Sequence, residues 1–149
     1  MLYQKILVPL DGSKRAEAIL PHIEELALQY QADVIFLVVI EPLFIGDTSI
    51  YKNPLFDQQN LQRQTQQMTQ YLATQQEAFQ QKGLSVRTFI RYGRVVDEIL
   101  GAAQAENVDL IALTSHGHTG LSRVFYGSVA AALLHRIDRP LLLIRSLEN

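Results

Sequence analysis

Ile6-Leu7-Val8-Pro9-Leu10-Asp11-Gly12-Ser13 is the stretch on which the fold turns. Three aliphatic residues, two of them β-branched, are closed by Pro9 and the turn formers Asp11, Gly12 and Ser13, which predicts a buried strand ending in a tight turn. Beyond the turn, Ala16, Ile19, Leu20, Ile23, Leu26, Ala27 and Tyr30 recur at steps of three and four. That spacing places them on one face of a helix ending near Gln31. Residues 34–40 follow as an apolar run without polar alternation, the pattern of a strand covered on both faces. Strand, turn, helix and strand in this order begin a parallel α/β sheet.

The rest of the chain continues the alternation. Residues 41–57 carry two prolines, Gly46, Asp47 and Asn53 with no sustained period, and predict a long loop whose length suits a lid. Between residues 58 and 81 eleven positions are glutamine, yet Leu61, Thr65, Met68, Leu72 and Phe79 keep the spacing of an amphipathic helix with a glutamine-rich solvent face. Gly83 suits the stop of that helix. Residues 84–90 read as a third strand, 95–105 as a helix, 110–113 as a fourth strand, 128–137 as a short helix and 141–144 as a final strand after Pro140. The alternation predicts one α/β domain over residues 1–149, a doubly wound five-stranded parallel sheet with right-handed crossovers and helices on both faces.

Composition narrows the function. With 149 residues, 48% apolar and 19% charged, the chain has the balance of a packed globular domain. A net charge of -2 provides no field for nucleic acid or an anionic membrane, so neither is expected as a partner. The absence of cysteine excludes disulfides, thiolate zinc sites and a cysteine nucleophile. Met1-Leu2-Tyr3-Gln4-Lys5 lacks the pattern of a signal peptide, and the apolar run at 34–40 is far shorter than a membrane span, so a cytoplasmic location is expected.

A second turn segment follows the fourth strand: Thr114-Ser115-His116-Gly117-His118-Thr119-Gly120-Leu121-Ser122-Arg123-Val124-Phe125-Tyr126-Gly127-Ser128. Glycines let a backbone approach phosphate closely, and N–H groups at a helix start favour an anion. Ser128 suits a phosphate contact or a plain N-cap. In open α/β sheets ligands sit beyond the carboxyl ends of strands where strand order reverses, so this segment and the Asp11 turn share one crevice if the fourth strand neighbours the first. His116 and His118 lack the further ligands that a zinc site needs. His116 reads instead as a loop-shaping or phosphate-touching residue, and the pair falls one residue short of the nucleotidyltransferase His-x-Gly-His signature. There is no Gly-x-x-x-x-Gly-Lys-Ser/Thr loop and no Gly-x-Ser-x-Gly elbow. Asp97 and Glu98 fit the start of a helix on dipole grounds alone.

Glycine, two residues, glycine, nine residues, glycine and then serine or threonine is the pattern that this segment resembles, that of the nucleotide-binding universal stress protein family. The nine-residue gap lies between Gly117 and Gly127, with Ser128 next. The resemblance extends to Ile6 through Ser13, to Gly93, and to Arg139-Pro140-Leu141-Leu142-Leu143-Ile144-Arg145, so it covers nearly the whole chain. It implies an adenine nucleotide alpha hydrolase-like, Rossmann-like sheet in strand order 3-2-1-4-5. The ligand it implies is ATP or AMP, with Mg2+ as an optional companion of ATP. Pro9, Asp11 and Val39 would line the adenine and ribose, while Gly117, Gly127, Ser128 and Val129 would follow the ribose and phosphates. Leu10, Leu113, Thr114 and His116 complete the implied set. From the residues alone Asp11 is equally a helix-capping or Asx-turn residue, and Val39 is ordinary strand core. The first glycine of the pattern is Thr114 here, a β-branched residue that narrows the backbone approach and brings a hydroxyl. The resemblance further implies a homodimer paired through Leu141 to Ile144, and a stress or signalling role exercised through conformation. Two alternatives stay open: a scaffold of the same fold without nucleotide, and a slow ATP hydrolase or phosphotransferase using the same crevice.

Overall fold

The computed structural model describes residues 2–42, 54–115 and 128–146. Five strands, β1 (Lys5–Leu10), β2 (Asp33–Ile40), β3 (Ser85–Tyr92), β4 (Leu110–Thr114) and β5 (Leu141–Ile144), form one parallel sheet in the order β3-β2-β1-β4-β5. Strand order reverses at β1, as the family resemblance implied. The helices α1 (Leu20–Tyr30), α2 (Pro54–Gln80), α3 (Val95–Glu106) and α4 (Ser128–Arg136) divide between the two faces.

The division follows from side-chain alternation along the strands. Ile6, Val8, Leu10, Val34, Phe36 and Val38 form one core layer with Ile23 and Ala27 of α1 and Leu72 and Phe79 of α2. Phe79 meets Phe36 edge to face at 5.0 Å between ring centroids. Leu7, Ile35, Leu37, Ile111 and Leu113 form the opposite layer with Ile99, Ala102 and Ala103 of α3 and Leu133 of α4. Burial on both faces is why β2 and β4 read as unbroken apolar runs.

At the amino end of the sheet the Asp109 carboxylate accepts from the backbone N–H groups of Gln4 and Lys5, each at 2.8 Å. Arg139 donates to the carbonyls of Ala103 and Val108, satisfying acceptors where α3 ends. The two sheet edges differ. β3 carries Arg87 and Arg91, paired with Glu106 and Glu98 of α3, whereas β5 is aliphatic throughout.

Three departures from the sequence reading bear on the site. The helix expected from Ala16 splits into a 3-10 turn, Ala16–Ile19, and α1, because Pro21 lacks the N–H that would close an α-helical bond to the preceding turn. α2 begins at Pro54, inside the segment read as loop, since the first turn of a helix needs no N–H from proline. The rest of that loop, with the expected lid, falls at residues 43–53, outside the described residues. The third departure is in β1. It runs through Pro9 to Leu10 instead of closing at Val8.

Candidate functional site

Pro9 shapes the site through the hydrogen bond it cannot make. Asp33 N–H donates to the Gln4 carbonyl and Asp109 N–H to that of Lys5, so even-numbered residues of β1 face β2 and odd-numbered ones face β4. Pro9 therefore lacks its N–H on the β4 side. Pairing with β2 continues to Leu10↔Val38, but pairing with β4 ends at Leu7↔Ile111. The carboxyl ends of the two central strands are thus released from each other at the point where strand order reverses, where α/β sheets bind ligands.

The turn after β1 forms one wall. Gly12 has φ +87°, a conformation that favours glycine. Asp11 Oδ1 accepts from Ser13 N–H at 2.9 Å and from Ser13 Oγ at 2.6 Å, and Ser13 Oγ in turn accepts from Ala16 N–H at 3.1 Å. Asp11 is thus an Asx-turn residue, as its residue type allowed, with its second oxygen unpartnered among the described residues. One step along the register Leu10↔Val38 brings exposed Asp11 level with Val39.

Thr114 closes the other side. Its side chain is buried, and its hydroxyl donates to the Ala16 carbonyl at 3.0 Å, tying the end of β4 to the 3-10 turn behind Asp11. The hydroxyl proton is therefore already committed within the fold. Ser115, next in line, donates its N–H to the Ile144 carbonyl at 2.7 Å. Leu113 lies in the α3/α4 core, where Val129 also packs, and exposed Ser128 opens α4. His116, Gly117 and Gly127 lie outside the described residues.

α2 contributes a third side that the sequence did not reveal. A Cβ added to Gly12 would lie 3.2 Å from Met68 Cε, so α2 rests against the Asp11 turn. Tyr71 of α2 donates its phenol to Glu17 Oε2 at 2.7 Å. Burial, then the Glu17 hydrogen bond and the charges of Glu17 and Asp11, push the Tyr71 phenol well above its ordinary value, so it stays neutral. Thr65 Oγ1 meets the hydroxyl of half-exposed Tyr92 at 2.9 Å beyond the end of β3. Periodicity places Met68 on the apolar face of α2, but only the fold shows that this face meets Gly12.

Comparison with known proteins agrees with this fold. The profile of the universal stress protein family matches residues 2–145. Universal stress protein MJ0577 of Methanocaldococcus jannaschii is 27% identical over 156 residues, covering 97% of this chain and 96% of that protein. Its solved structure superposes with a TM-score of 0.87 over the full length of both chains. At 19% identity and a TM-score of 0.64, a universal stress protein in complex with cAMP shares the fold over 97% of this chain and 98% of its own. So does the universal stress protein of Archaeoglobus fulgidus in complex with dAMP, at 18% identity and a TM-score of 0.64, over 97% and 99%.

Proposed function

Because the chain belongs to the universal stress protein family, we propose that it binds an adenine nucleotide, AMP or ATP, in the crevice between the carboxyl ends of β1 and β4. It then acts in stress response or signalling through ligand-dependent conformation and self-association. The observation that carries this reading is the break in pairing after Leu7↔Ile111, which opens the sheet beside Asp11 at the reversal of strand order. The cAMP and dAMP complexes of the same fold support adenine nucleotides as the ligand class. The second oxygen of Asp11, unpartnered among the described residues, would accept a ribose hydroxyl or a base proton, with Pro9, Leu10 and Val39 beside it. Leu113, Thr114, Ser128 and Val129 line the side toward the phosphates. His116, Gly117 and Gly127 join them on the strength of the sequence pattern.

Mg2+ enters this reading with ATP, as the counter-ion of its phosphates. Among the described residues no group of three or more histidines and carboxylates is gathered to hold a resident metal. The apolar edge strand β5 supports pairing with a two-fold mate, since a bare edge presents unpaired N–H and C=O groups.

The test combines mass spectrometry of any ligand carried through purification with calorimetry against AMP, ADP and ATP. A wild-type protein that carries no nucleotide and binds none of the three leaves the scaffold reading standing and ends this one. Multiple-turnover loss of ATP, abolished by Asp11→Ala, would move the assignment to an enzyme.

A further inference from the structure

Met68 carries the only sulfur of the chain apart from Met1, since there is no cysteine, and tryptophan is absent as well. It stands in the middle of α2, partly buried, with its thioether laid on the turn after β1. A Cβ built on Gly12 would lie 3.2 Å from Met68 Cε and 3.5 Å from Sδ, so the thioether borders the space that a side chain at Gly12 would take. Gly12 links Asp11 to Ser13, whose N–H and Oγ both donate to Asp11 Oδ1. The rest of this half of the helix is lightly seated. Among the described residues of α2 only Leu72 and Phe79 are buried, and both lie on the carboxyl side of Met68. Toward the start of the helix Leu61 is only partly buried, and Thr65 meets Tyr92 through their hydroxyls.

We propose that Met68 is an oxidation site through which a hydroperoxide controls the Asp11 turn: conversion of its thioether to the sulfoxide lifts α2 off Gly12 and lowers nucleotide affinity. The effect on affinity rests on the nucleotide reading above, whereas the modification does not. A sulfur lone pair attacks one peroxide oxygen, and the O–O bond breaks as the S–O bond forms. The departing hydroxide takes the proton of the transferred hydroxyl and leaves as water. Sulfur loses two electrons and the peroxide gains them. The product is a polar group where an apolar thioether had rested on Gly12. Keeping its oxygen against Gly12 without a partner is costly, and turning it to water requires α2 to withdraw from the turn. A methionine sulfoxide reductase returns the thioether, so the change is reversible. With no cysteine in the chain, Met68 is the sulfur within the fold that answers a peroxide.

The test follows the full chain before and after hydrogen peroxide by peptide mass mapping, hydrogen–deuterium exchange and calorimetry with AMP and ATP, for the wild type, Met68→Leu and Met68→Gln. In the wild type, peroxide should add one oxygen at Met68 and speed amide exchange in the turn after β1 and in α2 around Met68. Nucleotide binding should weaken by roughly 10-fold, and a methionine sulfoxide reductase should reverse all of these changes. Met68→Leu has no sulfur at this position, so its affinity and exchange should be the same before and after peroxide, whatever their starting values. Met68→Gln carries a polar oxygen without oxidation and should resemble the oxidised wild type before any peroxide is added. Met68 left unmodified while Met1 is oxidised would overturn the site. A sulfoxide at Met68 with unchanged exchange or unchanged affinity, or a Met68→Leu protein that responds to peroxide as the wild type does, would overturn its control of the turn. A reduced wild type that binds neither nucleotide ends the nucleotide reading and the affinity effect with it, and mass mapping and exchange then decide the oxidation site by themselves.

Discussion

Asp11 commits one carboxylate oxygen to Ser13, and under the proposed function the other would accept from the ligand. Substitution separates the two. Asp11→Asn retains a carbonyl acceptor for the turn, so its Tm should stay near wild type while nucleotide binding weakens by roughly 10-fold; Asp11→Ala should lose both, with about 1 kcal/mol of stability gone. Calorimetry and thermal unfolding of the pair read this directly, and equal nucleotide affinity in all three proteins would dismiss Asp11 as a contact. Thr114 presents the opposite balance. Thr114→Gly frees the backbone approach that the family pattern calls for but removes the bond to the Ala16 carbonyl, so ATP binding should tighten several-fold while Tm falls by a few degrees. Both residues were visible in the sequence as candidates. What remained hidden was the partner of each side chain, because the Asp11–Ser13 bond competes with a helix cap that looks identical in sequence, and Thr114 meets a residue 98 positions away.

α2 is held against the sheet and the turn after β1 by three contacts of different chemistry, Met68 on Gly12, Tyr71 on Glu17 and Thr65 on Tyr92. Its glutamine-rich solvent face gives no hint of this, since the contacts come from the opposite face. The Tyr71 contact has a pH signature. Folding raises this phenol above its ordinary value of 10.0, so the stability linked to it is fully present below that pH and is lost as pH rises above about 10, where the unfolded chain ionises first. Tyr71→Phe should therefore show a shallower alkaline fall in Tm than the wild type between about pH 9 and 11. Parallel curves for the two proteins would mean that Tyr71 is not held neutral. Strands show the same division between pattern and context. The sequence predicted β1, β2, β4 and β5 by their apolar runs, but the extension of β1 through Pro9 depends on which neighbour each N–H faces, and that follows from register alone.

Across the molecule, the proposed ligand and the proposed two-fold mate would both act on what the sheet leaves unpaired. Ligand at 100 times its Kd stabilises the folded state by about 2.7 kcal/mol, so AMP or ATP at that excess should raise Tm by roughly 5–10 °C. Absence of any shift at saturation would contradict binding to the folded state. On β5 the odd-numbered residues Leu141 and Leu143 turn their N–H and C=O groups away from β4, because the carbonyls of Pro140 and Ile144 are the ones that β4 uses. Leu143→Pro thus removes an outward donor without breaking the β4 ladder, and sedimentation should show a dimer for the wild type and a monomer for the variant at equal helix content. A wild-type monomer at every concentration would remove the dimer. Periodicity and turn chemistry in the sequence determined the order of strands and helices, because they are local properties that each segment carries with it. The tertiary structure alone decided that a missing N–H at Pro9 lies toward β4, that α2 rests against Gly12 and that the Thr114 hydroxyl meets the Ala16 carbonyl, because each depends on which distant segment lies alongside.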